Sequence, residues 1–127
     1  MLEQHLFEYA IIRLVPRVER EEFINVGVIL FCASQKYLQT AYHLPEEKLN
    51  AFSSELNINE IQQRLLAFKR VCEGKKEGGP IGQFSLASRF RWLTAIRSTV
   101  LQTSKVHPGF CKDAGEELQK LMEKFVL

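Results

Sequence analysis

Residues 24–44 read INVGVILFCASQKYLQTAYHL, and the fold is decided by how this stretch is taken. From Ile24 to Cys32 it is apolar at consecutive positions, so no one-sided surface strand fits. A run this short, rich in β-branched residues and apolar on both faces, predicts a central strand covered on both sides. Ser34, Gln35 and Lys36 make a short connection. Residues 37–44 then alternate loosely, so the two runs pair as an antiparallel hairpin.

N-terminal to the hairpin, FEYAIIRLVP (7–16) carries aromatic and β-branched residues up to Pro16. It predicts a strand over 7–15, joined to the next through the charged stretch 17–23. C-terminal to the hairpin the apolar period lengthens. Pro45, Glu46 and Glu47 suit a helix start, with Leu49, Phe52 and Leu56 as its stripe. A second helix opens on Asn57 with Glu60 in capping-box spacing, and places Ile61, Leu65, Phe68 and Cys72 on one face. The Gly-, Pro- and Lys-rich segment 73–82 reads as an exposed loop. Residues 85–96 space Leu86, Phe90 and Leu93, or Ala87, Phe90 and Ile96, as a third helix, with Trp92, Phe84 and Phe90 taken as core aromatics. A late strand is expected over 98–106, broken by His107, Pro108 and Gly109 as a turn. A last helix starts near Asp113, boxed by Glu116, and buries Leu118, Leu121, Met122 and Phe125. The order predicts one α+β domain over 1–127, with a small antiparallel sheet of three to four strands against three to four helices.

Composition bounds the function. Of 127 residues, 46% are hydrophobic and 25% charged, an ordinary globular mixture. A net charge of +2 is too small a bias to point to nucleic acid. Cys32, Cys72 and Cys111 are odd in number and widely spaced, which suits reduced thiols rather than a disulfide framework or metal site. The first ten residues have no basic and long apolar leader, and the longest apolar run is far short of a membrane span. A cytoplasmic protein without a cofactor or metal is therefore expected. No GxxxxGK[ST], GxGxxG or HExxH pattern occurs, and the glycines of 74–82 are not spaced to open a phosphate loop.

Two polar clusters remain as places for chemistry. The first surrounds Arg13, Glu22 and Asn25. Arg13 sits in an apolar strand, so its charge needs a partner: Glu21, Glu22 or a bound anion. Asn25 serves either as a turn-closing side chain or as a ligand contact, and Gly27 marks a bulge or a close backbone approach. The second is RSTVLQTSKVHPG (97–109). Strand alternation gives Ser98, Val100, Gln102 and Ser104 one face, a row of donors and acceptors. Arg97 can clamp a phosphate or carboxylate, and His107 is either an acid–base group or a turn residue. Neither Ser98 nor Ser104 stands in a nucleophile elbow or near an acid that would complete a triad.

YAIIRLVPRVEREEFINVGVILF (9–31) and FRWLTAIRSTVLQTSKVHPG (90–109) together resemble the two signature blocks of domain-of-unknown-function family 3037, a bacterial family. The blocks fall on Arg13, Glu22, Asn25 and Gly27, and on Arg97, Ser98, Gln102 and His107. The resemblance implies a small cytoplasmic protein often encoded beside a HipA-like kinase, hence a partner or regulator role. The expectation is an accessory binding protein without catalysis of its own. The alternatives are a binder of an anionic or nucleotide-like ligand through Arg13 and Arg97, or a small hydrolase or nuclease using His107.

Overall fold

The structure is a computed structural model that describes residues 4–16, 22–52, 57–95 and 100–127, with side chains 50–52 left aside. It contains five strands: β1 (His5–Leu14), β2 (Ile24–Cys32), β3 (Tyr37–Tyr42), β4 (Leu101–Thr103) and β5 (His107–Cys111). The helices are α1 (Glu46–Phe52), α2 (Ile58–Glu73), α3 (Leu86–Leu93) and α4 (Ala114–Phe125). One antiparallel sheet runs β3-β2-β1-β4, and β5 also pairs with β1. This is the α+β arrangement that the sequence predicts.

β2 lies inside the sheet, and every residue of it but Asn25 is buried. Alternate side chains feed two cores. Val26, Ile29 and Phe31 join Ala10, Ile12 and Leu14 of β1 against α2 and α3, with Leu49 of α1. Val28, Leu30 and Cys32 join Phe7 and Ile11 against Leu118, Leu121 and Met122 of α4. A fully buried aliphatic side chain is worth about 1.5–3 kcal/mol, so burial on both faces makes this strand the anchor of the fold. The hairpin closes through Ala33–Lys36, where Lys36 adopts φ 51° and its N–H donates to the Ala33 carbonyl.

The pairing of β1 with β2 slips by one residue between Ile12 and Arg13. Gly27 faces Ile12 at this bulge, and a Cβ there would lie 2.6 Å from the Ala41 carbonyl oxygen. The close approach expected at Gly27 is therefore real, and any side chain would force β3 away.

The C-terminal half of the sheet differs from expectation. His107, Pro108 and Gly109 form no turn; they are β5, with Tyr9 opposite His107 and Phe7 opposite Gly109. β4 and β5 are two pieces of one edge strand. Thr103 pairs with Ile12 and His107 with Tyr9, so the edge carries one extra residue between them. Ser104 absorbs it: its N–H donates to the Ile11 carbonyl and its hydroxyl accepts the Ile11 N–H at 2.8 Å. Proline is tolerated because the strand is an edge, where one N–H has no ladder partner to lose. Glycine serves a contact instead of a turn, since a Cβ at Gly109 would lie 2.6 Å from the Phe7 ring.

The starts of α2 and α4 follow the expected caps, Asn57 and Asp113, each accepting a backbone N–H three residues on; Ser85 caps α3 in the same way. In the expected loop 73–82, Glu73 still belongs to α2, and two 3₁₀ turns follow, 76–78 and 81–83, with Gly82 buried and Lys75, Lys76 and Glu77 exposed. The Phe52 side chain and Leu56 of the expected α1 stripe, and Ile96, fall outside what is described.

Candidate functional site

The strand register gathers part of the first polar cluster and part of the second. Arg13 stands opposite Asn25 on β2 and opposite Gln102 on β4, a three-residue row across the sheet. Directly opposed residues share a face, so the row presents one polar band. It lies at the C-terminal end of α4, where the Asn25 amide donates to the Phe125 carbonyl at 3.1 Å. The Arg13 guanidinium carbon sits 4.2 Å from the centroid of the Phe23 ring. Arg13 Nε and Asn25 Oδ1 are buried without a hydrogen-bond partner, a donor and an acceptor on facing residues.

His107 sits apart from that row. It pairs with Tyr9, four residues from Arg13 along β1, or about 13 Å in a strand. Its exposed ring lies 5.4 Å from the Tyr9 ring, which stacks in turn on Phe125 at 6.2 Å. The two rings are tilted by 37°, an edge contact on the exposed strand. Glu22 is exposed ahead of β2. Arg97, Ser98, Arg17, Arg20 and Glu21 lie outside the described residues, and so do the expected pairings of Arg13 with Arg97 and Glu21.

On the opposite face a groove of about 320 Å³ opens between α2, α3 and β4. Phe68, Val71, Leu93 and Leu101 line it, and Arg64 and Trp92 stand among them. Gln102 and Thr103 also contribute; by register Thr103 and Leu101 share the groove face, while Gln102 stands on the Arg13 side of the edge strand and reaches the groove only as part of its rim. The α2 wall follows from helical spacing, because 64, 67, 68 and 71 share one stripe. Trp92 is 43% exposed, which corrects the expectation that it is core. Leu86, Phe90 and Leu93 define the inward stripe of α3, and two residues beyond Phe90 turns Trp92 off it. Phe84, 48% exposed, is also outside the core; Phe90 alone of the three is fully buried, stacked on Phe31 at 5.4 Å.

The buried charge nearby is structural. Arg89 donates from Nη1 to the carbonyls of Val71 and Cys72 at 3.0 and 2.9 Å, and from Nε to that of Phe84 at 3.0 Å. The Val71 and Cys72 carbonyls lie at the negative end of α2, so the guanidinium satisfies orphan acceptors there and meets the helix dipole, while Phe84 ties it to the entry of α3. The α2 cap Gly74, at φ 70°, also gives the guanidinium room that a side chain would occupy. Beside it the Cys72 thiol is pushed up to about 11 by burial, against a contact with Thr40 at 3.0 Å that lowers it. A thiol held protonated this way is a poor nucleophile. Among the described residues no group of three or more His, Cys, Asp and Glu could hold a metal, and no helix is long and apolar enough to cross a membrane.

Sequence reasoning passed over Arg64, Trp92 and Leu101 as partners in one groove. The signal within reach was the misfit of Trp92 to the α3 stripe; the joining of α2, α3 and β4 has no local signature. A family model described as a protein of unknown function, DUF3037, matches residues 9–126. Neither a comparison with curated proteins nor one with solved structures finds a match.

Proposed function

We propose that this chain, which belongs to the DUF3037 family over residues 9–126, is a non-catalytic accessory protein that receives a protein partner in the groove between α2, α3 and β4. The carrying observation is Trp92, a large aromatic side chain left 43% exposed beside an apolar groove. Tryptophan and arginine are the residue types that anchor interfaces, and apolar pockets at their centre supply most of the binding energy. The family resemblance makes a HipA-like kinase the first partner to try, and regulation of that kinase the first role. The second reading, a small anionic ligand at Arg13, draws on the unpartnered Arg13 Nε, a buried donor.

One experiment separates them. The chain is co-expressed with a HipA-like kinase and purified through a tag on this chain. Trp92 is the sole tryptophan, so its emission reports the groove directly. A stoichiometric complex is expected, with an emission shift on assembly. Trp92→Ala should weaken it by roughly 30-fold, the size of a hot-spot loss, while Arg13→Gln leaves it intact. A complex that ignores Trp92→Ala refutes the groove; loss through Arg13→Gln favours the polar row.

A further inference from the structure

We infer that the groove selects a partner segment carrying a large apolar side chain next to a carboxylate, the carboxylate taking Arg64 from Glu60. This rests on the groove reading above and names what the groove recognises.

Among the described residues, the lining carries one charged side chain, Arg64, and no carboxylate. The α3 wall is LASRFRWL, which has two arginines and no acid; Arg89 is committed to backbone carbonyls and Arg91 to Glu8 at 3.0 Å. Arg64 is held by Glu60 one turn away, at 3.0 Å, with both side chains at least half exposed. An exposed pair of this spacing is among the weakest ion pairs in proteins, so exchange for another carboxylate costs little. Once an apolar anchor covers Phe68, Val71, Leu93 and Leu101, water leaves the rim, and a charge-assisted hydrogen bond from Arg64 strengthens. A volume of about 320 Å³ fits one or two large side chains, not a helix laid lengthwise. Charge and size thus select an acidic–apolar motif over a basic one.

The probes are three capped peptides with one leucine anchor followed by glutamate, glutamine or lysine, titrated to millimolar concentration against the full chain by Trp92 emission. The glutamate peptide should bind about 5-fold tighter than the glutamine one, a rim charge pair's share, and the lysine peptide weakest. In Arg64→Gln the glutamate preference should fall to about 1-fold. In Glu60→Gln, which frees Arg64 without touching the groove floor, the glutamate peptide should gain about 2-fold. Circular dichroism confirms that both variants fold. Equal binding of the three peptides, a lysine preference, no emission change with any of them, or a glutamate preference that survives Arg64→Gln overturns the inference. The kinase complex is the control for the parent reading. If that complex needs Trp92 while the peptides show no charge preference, only the inference fails; if Trp92 is dispensable, the groove reading fails as well.

Discussion

Substituting Gly109 tests the least expected feature of the fold, the strand made of His107, Pro108 and Gly109. A Cβ at this position would lie 2.6, 2.9 and 3.3 Å from three atoms of the Phe7 ring. Carbon–carbon contact begins near 3.5 Å, so the ring has to retreat by about 1 Å. Phe7 is only 5% exposed and packs in the α4 core, where overfilling costs about 1–3 kcal/mol. Alanine recovers about 0.5–1 kcal/mol of chain entropy, because the backbone here is extended. The net loss for Gly109→Ala is therefore about 1–2 kcal/mol. Phe7→Leu alone also destabilises, by opening space. Combined, the methyl group enters the space the ring vacates, so the double variant should be more stable than the sum of losses by about 1 kcal/mol. Urea unfolding, followed by far-ultraviolet circular dichroism and Trp92 emission, gives all four corners of the cycle. If the two losses add to within about 0.5 kcal/mol, the ring does not rest on Gly109 and the strand assignment loses its main physical support.

Ser104→Ala should cost about 1–3 kcal/mol, since it strands the buried Ile11 N–H that the hydroxyl accepts at 2.8 Å. Hydrogen exchange at the Ile11 amide should quicken more than at its neighbours. A pH titration of stability should show a loss at high pH. The Cys72 thiol ionises near 9 when the chain is unfolded and at about 11 when folded. Below 9 both states hold the proton and the contribution is complete; between 9 and 11 only the unfolded state ionises, so stability falls. The Cys72 share is at most about 2–3 kcal/mol, Cys111 and Tyr37 shift in the same direction, and Cys72→Ala should flatten the slope by its share. An unchanged slope in that variant would contradict the burial of the thiol.

Local sequence was enough for the elements whose physics is local. The span of β2 and its double-sided burial are legible in INVGVILFC, because a run with no polar face has nowhere to go but the middle. Helix starts at Asn57 and Asp113 are legible because a cap is a contact over three residues. Gly27 was readable too, as a strand glycine that marks a bulge or a close backbone approach, and the structure has both there. The candidate site was legible only in pieces. Arg13, Asn25 and Gln102 were each singled out, but their shared row depends on pairings across about ninety residues and on one-residue slips.

The sequence by itself therefore determined an α+β chain, its central strand and its helix faces, all set by periodicity and capping within a few turns. The tertiary structure alone decided the rest. Pro108 and Gly109 are turn residues by local propensity, yet they become an edge strand once β1 supplies hydrogen bonds on one side and Phe7 needs the room above Gly109. Trp92 is a core residue by hydrophobicity, yet the rotation of α3 set by Phe90 and Leu93 turns it toward the groove. In both cases a long-range contact outweighs a local preference of about 1 kcal/mol, and such contacts exist only after the chain has closed on itself.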